Sequence, residues 1–256
     1  MADENVIYEV ADRVAEIRLN RPPVNALSLP LLEALIAGLR RAAADEQVRA
    51  VVLTSAVPRR FSAGLDLDIL LGKPKPEVRK FLDKLYVELS EVQHGLGKPS
   101  IAAISGAARG GGVTLGISCD VLLAGASATF GYPEIDLGLI PAIHFSHLPR
   151  IVGRHRAFEL LFSGRSFDAA EAMSLGLVSR VVPDEQLHAE AIALARTFAE
   201  KSPTALRAGR AAFRRINDGE FRRIVDEAAE DFCNVAITPD AQEGLRAFVE
   251  KRTPRS

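Results

Sequence analysis

Residues 98–112 read Lys-Pro-Ser-Ile-Ala-Ala-Ile-Ser-Gly-Ala-Ala-Arg-Gly-Gly-Gly, and they decide the fold class. The apolar run Ser100–Ile104 predicts a buried strand, and the glycines that close the stretch predict a turn into a helix beginning near Gly112. The same order recurs on both sides, because Ala50–Thr54 is a β-branched run that ends in a loop, and Val121 opens a further apolar run, VLLAG. Strands that alternate with loops and helices in this way predict an α/β domain.

The segments that precede this stretch predict a hairpin and two amphipathic helices. Val6–Val10 and Val14–Leu19 alternate apolar and polar residues around a short turn, which is typical of a β-hairpin. Ser28 can cap a helix that has Pro30 in its first turn and an apolar stripe along one face. A second helix is predicted over Glu77–His94, where apolar residues also recur at helical spacing.

The last part of the chain has a different character. Helical segments dominate from about Asp184, and we expect residues 1–194 to form the core and residues 195–256 a helical C-terminal region. A cluster of arginines in this part fits either a solvated helix face or a surface that contacts another subunit or a phosphate. The cluster consists of Arg207, Arg210, Arg214, Arg215, Arg222 and Arg223.

Composition and charge exclude several classes of function. The 256 residues suffice for one large domain, and 48% hydrophobic with 25% charged residues is ordinary for a globular protein. A formal net charge of −1 argues against a nucleic-acid partner or an anionic membrane. The first residues contain acids and no long apolar run, and Asp120 interrupts the most apolar stretch, so neither a secretory signal nor a membrane span is expected. Cys119 and Cys233 lack metal-site spacing and suit a reduced cytoplasm, where we expect the protein.

Two glycine-containing loops are the places where chemistry can be read from the sequence. Residues 61–67, Phe-Ser-Ala-Gly-Leu-Asp-Leu, follow a predicted strand, and their small side chains let a ligand approach the backbone closely. Gly110–Gly112 lies between a strand and a helix, where backbone amides and the helix N-terminus favour negative charge. Neither loop has the spacing of a dinucleotide-binding or phosphate-binding loop. Each one alone is typical of an ordinary turn.

Together and in this order, the two loops resemble those of the crotonase superfamily, also called the enoyl-CoA hydratase/isomerase family. The resemblance covers nearly the whole chain, and it includes Arg21–Leu27 (RPPVNAL), Cys119–Asp120, Phe130–Pro141 (FGYPEIDLGLIP), Ala169–Pro183 (AAEAMSLGLVSRVVP) and, near the C-terminus, EGLRAFVEKRTP. It implies a spiral of repeated ββα units with a helical C-terminal region that packs at the interface of a homotrimer or a dimer of trimers. It also implies an acyl-CoA thioester as substrate, with no metal and no cofactor beyond its coenzyme A moiety.

The resemblance further implies that two backbone amides stabilise the enolate of the thioester. These amides belong to Leu65 and Gly111, and their hydrogen bonds strengthen as the carbonyl becomes an oxyanion. Other residues are expected to bind coenzyme A or the acyl group. They are Asn25, Ala26, Ser62, Ala63, Gly64, Asp66, Leu67, Gly110, Pro133, Phe248 and Lys251, of which the last two match positions that reach the coenzyme A of a neighbouring subunit.

Of the two carboxylates expected to transfer protons, the sequence contains one. Hydratases of this family use two glutamates to add water, and the positions that match them here hold Thr114 and Glu134. A threonine hydroxyl is not a base near neutral pH. Isomerases that move a double bond need one carboxylate, so the sequence favours isomerisation with Glu134 as the single acid and base. Burial in an apolar pocket should raise the pKa of this carboxyl toward neutrality.

Three further side chains are candidates for an auxiliary acid or base. Asp136 lies two residues after Glu134, and in an extended chain it points the same way. The family's glycine-rich pattern downstream is replaced by PAIHFSHLP at residues 141–149, which should reshape the acyl pocket and which introduces His144 and His147. Imidazole titrates near neutrality, so either histidine could supply an acid or base. Alternatively, both are ordinary polar residues on a helix.

Two other functions stay open. Feruloyl-CoA-type hydratase–lyases resemble this sequence in having one glutamate and a small hydroxyl residue at the Thr114 position, so hydration or carbon–carbon cleavage is one alternative. The other is a non-catalytic acyl-CoA-binding protein, and the presence of Glu134 argues against it.

Overall fold

The N-terminal alternation forms the predicted hairpin. Strands β1 (Val6–Ala11) and β2 (Val14–Leu19) pair antiparallel in the computed structural model, which describes residues 5–218 and 221–255. The turn between them places Asp12 and Arg13 at φ of 48° and 67°, the left-handed conformation that a tight hairpin turn requires.

A six-stranded sheet is built onto this hairpin. Its other strands are β3 (Ala50–Ser55), β5 (Ser100–Ile104), β7 (Val121–Gly125) and β10 (Arg180–Val182). The strand order is β1-β2-β3-β5-β7-β10, and every pair after the hairpin is parallel. Parallel strands are covered on both faces, which is why three of these strands read as continuous apolar runs in the sequence.

A second sheet contains four strands of three residues each. They are β4 (Arg60–Ser62), β6 (Ala107–Arg109), β8 (Thr129–Gly131) and β9 (Ser166–Asp168), paired in that order. Strands β4, β6 and β8 each follow directly after a strand of the first sheet, and they pair parallel with one another. The chain therefore places one strand in each sheet before a helical segment leads it back, which confirms the predicted spiral of ββα units.

Helices fill the connections and the C-terminal part of the chain. They are α1 (Leu29–Ala44), α2 (Lys75–Leu82), α3 (Leu89–Gly95), α4 (Gly111–Ile117), α5 (His144–Val152), α6 (Arg154–Ser163), α7 (Ala169–Ser174), α8 (Leu187–Ala199), α9 (Pro203–Asn217), α10 (Phe221–Ala236) and α11 (Pro239–Val249). Single 3₁₀ turns occur at Leu67–Ile69, Pro133–Leu137 and Asp184–Gln186. Helix α1 begins as predicted, because the Ser28 hydroxyl accepts a hydrogen bond from the Leu31 amide over 3.4 Å.

The helix predicted over Glu77–His94 is present but is not a uniform α-helix. A π-helical segment, Asp83–Glu88, separates α2 from α3. Its side chains Leu85 and Tyr86 are buried. A widened turn of this kind reorients the residues it contains, and such turns are frequent at functional sites.

The first sheet separates two groups of core residues. Alternation along β3 directs Val51 and Leu53 to one face and Ala50 and Val52 to the other, and α8 packs on the second face through small side chains that include Ala195. The predicted division between residues 194 and 195 therefore falls inside a helix that is packed on the sheet along its length. Helix α8 is part of the core, because its small side chains pack on the first sheet.

Two arginines of the predicted cluster have a structural role. The Arg210 and Arg214 Nε atoms lie 2.8 and 3.3 Å from the two carboxylate oxygens of Asp120, and both side chains are largely buried. These ion pairs attach α9 to the end of α4, where Asp120 follows the helix. Arg207 and Arg215 are exposed, whereas the side chains of Arg222 and Arg223 lie outside the described residues.

Both cysteines are buried and free in this structure. Among the helices that the structure describes, none combines the length and the apolar character needed to cross a membrane.

Candidate active site

A short parallel bridge joins the first glycine-containing loop, at Leu65, to Leu27. The Leu27 amide donates to the Gly64 carbonyl over 2.7 Å, and the Asp66 amide donates to the Leu27 carbonyl over 3.0 Å. Successive amides of an extended chain point in opposite directions, so the amide of Leu65, between these two, faces away from Leu27. It is directed toward the loop that contains Gly111.

Gly64 allows the two loops to approach each other. It has a φ of 90°, and a Cβ at this position would lie 2.9 Å from the Arg109 carbonyl oxygen and 3.6 Å from the Gly111 nitrogen. A larger residue would be strained by its φ and would also push the loops apart. The Gly111 nitrogen therefore lies directly beside the peptide that contains the Leu65 nitrogen.

Gly111 is the first residue of α4, so its amide has no partner within the helix. Within residues 5–218 and 221–255, neither this amide nor that of Leu65 donates a hydrogen bond to another residue. A Cβ on Gly111 would lie 2.7 Å from a methyl group of Leu65 and 2.9 Å from one of Leu27. Two unpaired donors that lie this close together can bind one oxygen atom between them.

Asn25 and Ser62 support the first loop from inside. The Asn25 amide group donates to the Ser55 hydroxyl (2.8 Å) and the Phe61 carbonyl (3.0 Å), and the Ser62 hydroxyl donates to the Asn25 carbonyl (2.7 Å). Both side chains are fully buried. Both side chains are enclosed by protein and already hydrogen-bonded, and the predicted contact of these residues with coenzyme A stays a prediction.

The other predicted binding residues of the first loop are accessible to different degrees. Ala63 is exposed, whereas Ala26, Asp66 and Leu67 are half-buried. Asp66 forms an ion pair with Arg21 at 2.6 Å, and the same arginine donates to the Ala26 carbonyl at 2.9 Å. This arrangement fixes the outer edge of the loop.

Glu134 follows β8 in the 3₁₀ turn that begins at Pro133, and it lies against the second loop. A Cβ on Gly110 would overlap the carboxylate, so glycine is required there both for this contact and for its φ of 42°. The residue is partly accessible, but its Oε2 atom is buried and has no hydrogen-bond partner among the described residues. Burial raises the pKa of Glu134 to about 7, and its own backbone amide offsets only part of that rise.

Two buried tyrosines lie near this carboxylate. Burial, and then the charge of Glu134, raise the pKa values of both Tyr86 and Tyr132. The Tyr132 hydroxyl has no hydrogen-bond partner among the described residues. Sequence reasoning missed both tyrosines. Tyr132 could have been noticed as a neighbour of Glu134 in FGYPE, whereas Tyr86 lies far from Glu134 in the sequence, within the π-helical segment.

Thr114 and His144 contact each other beside the second loop. Thr114 is 4% exposed, and its Oγ1 lies 3.2 Å from Nε2 of His144. The same Nε2 lies 3.3 Å from the Gly110 carbonyl oxygen. Burial lowers the pKa of His144 well below its ordinary value, and the neighbouring His147 lowers it further, so the ring is neutral at pH 7.

His147 lies one turn further along α5, with its ring centroid 5.1 Å from that of His144. Burial lowers the pKa of His147 to about 4, which the nearby Ile143 carbonyl offsets only in part. Neither ring nitrogen meets hydrogen-bond geometry with a described residue. The structure thus places both histidines in the interior beside the site, and not on a solvated helix face.

A cavity of about 680 Å³ extends from the site along α4. Its lining residues include Thr114, Leu85, Tyr86 and His147. Leu85 connects it to the second loop, since a Cβ on Gly111 would lie 3.4 Å from this side chain. The cavity is of the size that encloses small-molecule ligands.

Asp136 does not join Glu134, so the prediction that the two carboxylates point the same way was wrong. The segment is a 3₁₀ turn and not an extended strand, and residues two apart in such a turn lie on different sides. The Asp136 carboxylate instead packs on Gly164, where a Cβ would be 2.8 Å from Oδ2. Glu134 is therefore not accompanied by this carboxylate.

Phe248 and Lys251 lie at the end of α11 and are exposed, Phe248 to 61%. Helix α11 packs on the turn that carries Glu134, because Gly244 contacts the Leu137 backbone. Their predicted contact with a neighbouring subunit's coenzyme A stays a prediction. No group of three potential metal-ligating side chains occurs in the part of the chain that the structure describes.

Known proteins share this architecture and most of its length. The sequence model of the enoyl-CoA hydratase/isomerase family matches residues 9–255. The chain is 34% identical over 257 residues to the probable enoyl-CoA hydratase echA8 of Mycobacterium bovis, covering 100% of this chain and 98% of that protein. It is 37% identical over 251 residues to the 2,3-dehydroadipyl-CoA hydratase of Escherichia coli K12, covering 97% of each.

A solved structure also shares the fold of this chain. The human mitochondrial delta3-delta2-enoyl-CoA isomerase superposes with a TM-score of 0.87 at 27% identity, over 96% of this chain and 97% of the other. The matches in sequence and in fold both extend over nearly the whole chain. This protein is therefore a member of the enoyl-CoA hydratase/isomerase family, the crotonase superfamily.

Proposed function

We propose that the protein shifts the double bond of an enoyl-CoA thioester from the β,γ to the α,β position. The observation that carries this proposal is the single carboxylate at the site. Glu134 has a pKa of about 7, whereas the position of the second glutamate of hydratases holds a buried threonine. A double-bond shift needs one group that first accepts and then returns a proton.

The reaction proceeds in two proton transfers. Glu134, as carboxylate, accepts a proton from C2 of the 3-enoyl thioester, and the electron pair of that C–H bond forms the enolate. The thioester oxygen then carries the negative charge, which the Leu65 and Gly111 amides stabilise more strongly than they do the neutral carbonyl. Glu134 returns the proton to C4, the double bond forms between C2 and C3, and the carboxylate is regenerated.

The other polar groups of the site fit a reaction without added water. His144 is neutral and its Nε2 is already engaged by Thr114 and Gly110, so it does not serve as a strong base. Among the described residues, no carboxylate is hydrogen-bonded to the Thr114 hydroxyl to ionise it. Adding water across a double bond requires one group to take a proton from water and another to give one to carbon, and Glu134 alone would have to do both.

The proposal extends to substrate, assembly and location. The acyl group occupies the cavity beside Thr114, and coenzyme A lies on the Ala63–Leu67 edge, with no further cofactor. A homotrimer or dimer of trimers is supported by large apolar side chains exposed on α9, Phe213 at 67% and Ile216 at 76%, since such groups favour burial in an interface. Phe248 and Lys251 then approach a neighbouring subunit's coenzyme A. We place the enzyme in the cytoplasm.

Hydration is the second candidate, because the relatives from Mycobacterium bovis and Escherichia coli carry hydratase names. In that case Glu134 would act with a neutral partner such as Thr114, and a hydratase–lyase would use the same groups. A non-catalytic acyl-CoA-binding protein is the third possibility.

A panel of thioesters separates these candidates. The purified protein would be incubated with 2-enoyl-, 3-enoyl- and hydroxycinnamoyl-CoA esters in deuterated water, with products followed by mass spectrometry. We expect conversion of 3-enoyl to 2-enoyl esters with little hydroxyacyl product. Hydration of 2-enoyl esters faster than isomerisation would reject the isomerase proposal, and binding without any turnover would reject catalysis.

Thr114→Glu tests the same proposal by adding a second carboxylate to the site. The cavity next to Thr114 gives the longer side chain room, and the new carboxylate would supply the partner that water addition needs. We expect hydratase activity on 2-enoyl esters to rise by at least about 10-fold, within the usual contribution of a positioned acid or base. Thr114→Gln, of equal size but without a basic group, is the matched control and should show no such gain.

A further inference from the structure

His144 belongs to the segment in which this chain departs from the family pattern, and its ring nitrogen contacts the second loop. Nε2 lies 3.3 Å from the Gly110 carbonyl oxygen and 3.2 Å from Thr114 Oγ1, whereas Nδ1 has no partner among the described residues. His144 is 1% exposed, and the Tyr132 ring packs on it at 4.6 Å between centroids. The ring is therefore held in one orientation.

These contacts select one tautomer. A carbonyl oxygen only accepts hydrogen bonds, so the contact with Gly110 is favourable only if Nε2 carries the proton. The other tautomer would direct the Nε2 lone pair at the carbonyl oxygen and would leave Nδ1–H as a buried donor without an acceptor. The Nε2–H of His144 therefore donates to Gly110 O, with Thr114 Oγ1 beside the same hydrogen.

The Gly110 carbonyl is one end of a planar amide, and the Gly111 N–H is its other end. The oxygen already accepts a hydrogen bond from the Thr114 amide over 3.1 Å, and His144 supplies the second donor that its two lone pairs allow. A donor at the oxygen of an amide withdraws electron density and makes its N–H a stronger donor. The peptide is also fixed from the other side, since the Gly110 amide donates to Gly131 over 3.0 Å.

We infer that His144 is a positioning residue that orients and polarises the Gly110–Gly111 peptide, so that the Gly111 amide binds the thioester oxygen more strongly. This rests on the proposed role of the Gly111 amide, but not on which reaction follows. His144 acts through the peptide and does not touch the substrate. The segment 141–149, which replaces a glycine-rich stretch, thereby contributes to carbonyl activation without contributing a base.

Three substitutions separate the hydrogen bond from the packing of the ring. In His144→Gln the side-chain amide nitrogen can reach the place of Nε2, and in His144→Asn it reaches only the place of Nδ1. His144→Phe keeps a ring but has no donor. Each variant would first be checked for folding by thermal unfolding and for binding of trans-2-hexenoyl-CoA.

The decisive readout is the carbonyl stretching frequency of that thioester, labelled with ¹³C at the carbonyl and bound to each variant in a Glu134→Gln background that prevents turnover. We expect binding to lower this frequency in the parent and in His144→Gln, with a clearly smaller shift in His144→Asn and His144→Phe. When Glu134 is intact, kcat of the His144→Asn and His144→Phe variants should fall about 10-fold, and KM should change less. This loss is smaller than the loss of kcat that follows removal of a whole oxyanion donor.

The inference would be overturned if the carbonyl frequency shifted equally in the parent, His144→Asn and His144→Phe proteins. It would also be overturned if His144→Gln lost as much of the shift as His144→Phe, or if the parent showed no shift. If the Phe variant does not fold, the comparison of Gln with Asn decides. The measurement is independent of the proposed isomerisation. Absence of turnover in the wild-type protein would reject the proposed function and leave the carbonyl shift, and hence this inference, intact.

Discussion

The two sides of the candidate site are made of different groups. The amide side, defined by Leu65 and Gly111, consists of backbone donors held in place by glycines and by a parallel bridge. The proton side, defined by Glu134 and Thr114, consists of side chains, and the Oε2 atom of Glu134 has no hydrogen-bond partner among the described residues. In the proposed mechanism, the amide side serves any reaction that passes through a thioester enolate. The proton side decides which reaction that is, because it determines where protons can go.

The difference also predicts how each side tolerates mutation. On the amide side, a change of side chain matters little unless it adds a Cβ where two backbones touch. On the proton side, removal of a single functional group removes the chemistry while the fold remains.

The largest effect should come from removing the proton side's base. Glu134→Gln keeps the size of the side chain but cannot accept a proton, so we expect kcat to fall about 10³-fold, within the range for a general base. Coenzyme A binding should persist, as measured by calorimetry. A variant with wild-type kcat would remove Glu134 from the mechanism.

The same substitution should stabilise the protein in a defined pH window. Burial raises the pKa of Glu134 from 4.5 to about 7, so the folded state favours the protonated carboxyl. The contribution of this carboxyl to the free energy of unfolding is therefore full below pH 4.5 and is lost as the pH rises through 7. Glutamine imitates the protonated form at every pH. We therefore expect Glu134→Gln to exceed the wild type in free energy of unfolding by at most about 3 kcal/mol at pH 8.

Urea unfolding at pH 4 and pH 8 measures this difference. The advantage of the glutamine variant should vanish at pH 4, where both side chains are uncharged. In the wild type, kcat/KM should fall as the pH is lowered through about 7, as the carboxylate takes up its proton. An advantage that is equal at both pH values would show that the carboxyl titrates normally.

On the amide side, Gly64→Ala should have the next largest effect. The added Cβ would meet the Arg109 carbonyl at 2.9 Å in a residue with a φ of 90°, so it would strain the backbone and separate the two amides. We expect about a 100-fold loss of kcat, as for loss of one oxyanion donor. Gly72→Ala, also at a positive φ but with nothing near its Cβ, is the matched control for backbone strain alone. Equal kcat values in the two variants would contradict the close approach.

Leu65→Ala should have the smallest effect, because only the amide of this residue is proposed to act. The substitution removes a half-buried side chain and leaves the backbone bridge with Leu27 in place. We expect kcat to change by less than about 3-fold, since a backbone donor keeps its contribution when only its side chain changes. A loss comparable to that of Gly64→Ala would mean that the side chain itself holds the thioester.

Much of the fold was predictable from the sequence because its signals are local. The hairpin, the Ser28 cap and the buried parallel strands each follow from residues that are close together in the chain. The helix over Glu77–His94 was predicted as well, but its π-helical turn was not, because periodicity does not distinguish the two kinds of helix over six residues. The boundary at residue 195 was placed by a change of composition, and in the structure it falls within α8, which packs on the sheet.

The sequence by itself determined the family, the position of the two glycine loops, and the presence of Thr114 and Glu134 at the two positions where the resemblance leads us to expect glutamates. These are properties of ordered motifs, and ordered motifs can be read without coordinates. Only the tertiary structure decided that Asn25 and Ser62 are enclosed and that Asp136 points away from Glu134. It also placed His144 on the carbonyl of Gly110. Those outcomes depend on which distant segments meet and on the direction of each side chain, and neither is encoded by spacing along the chain.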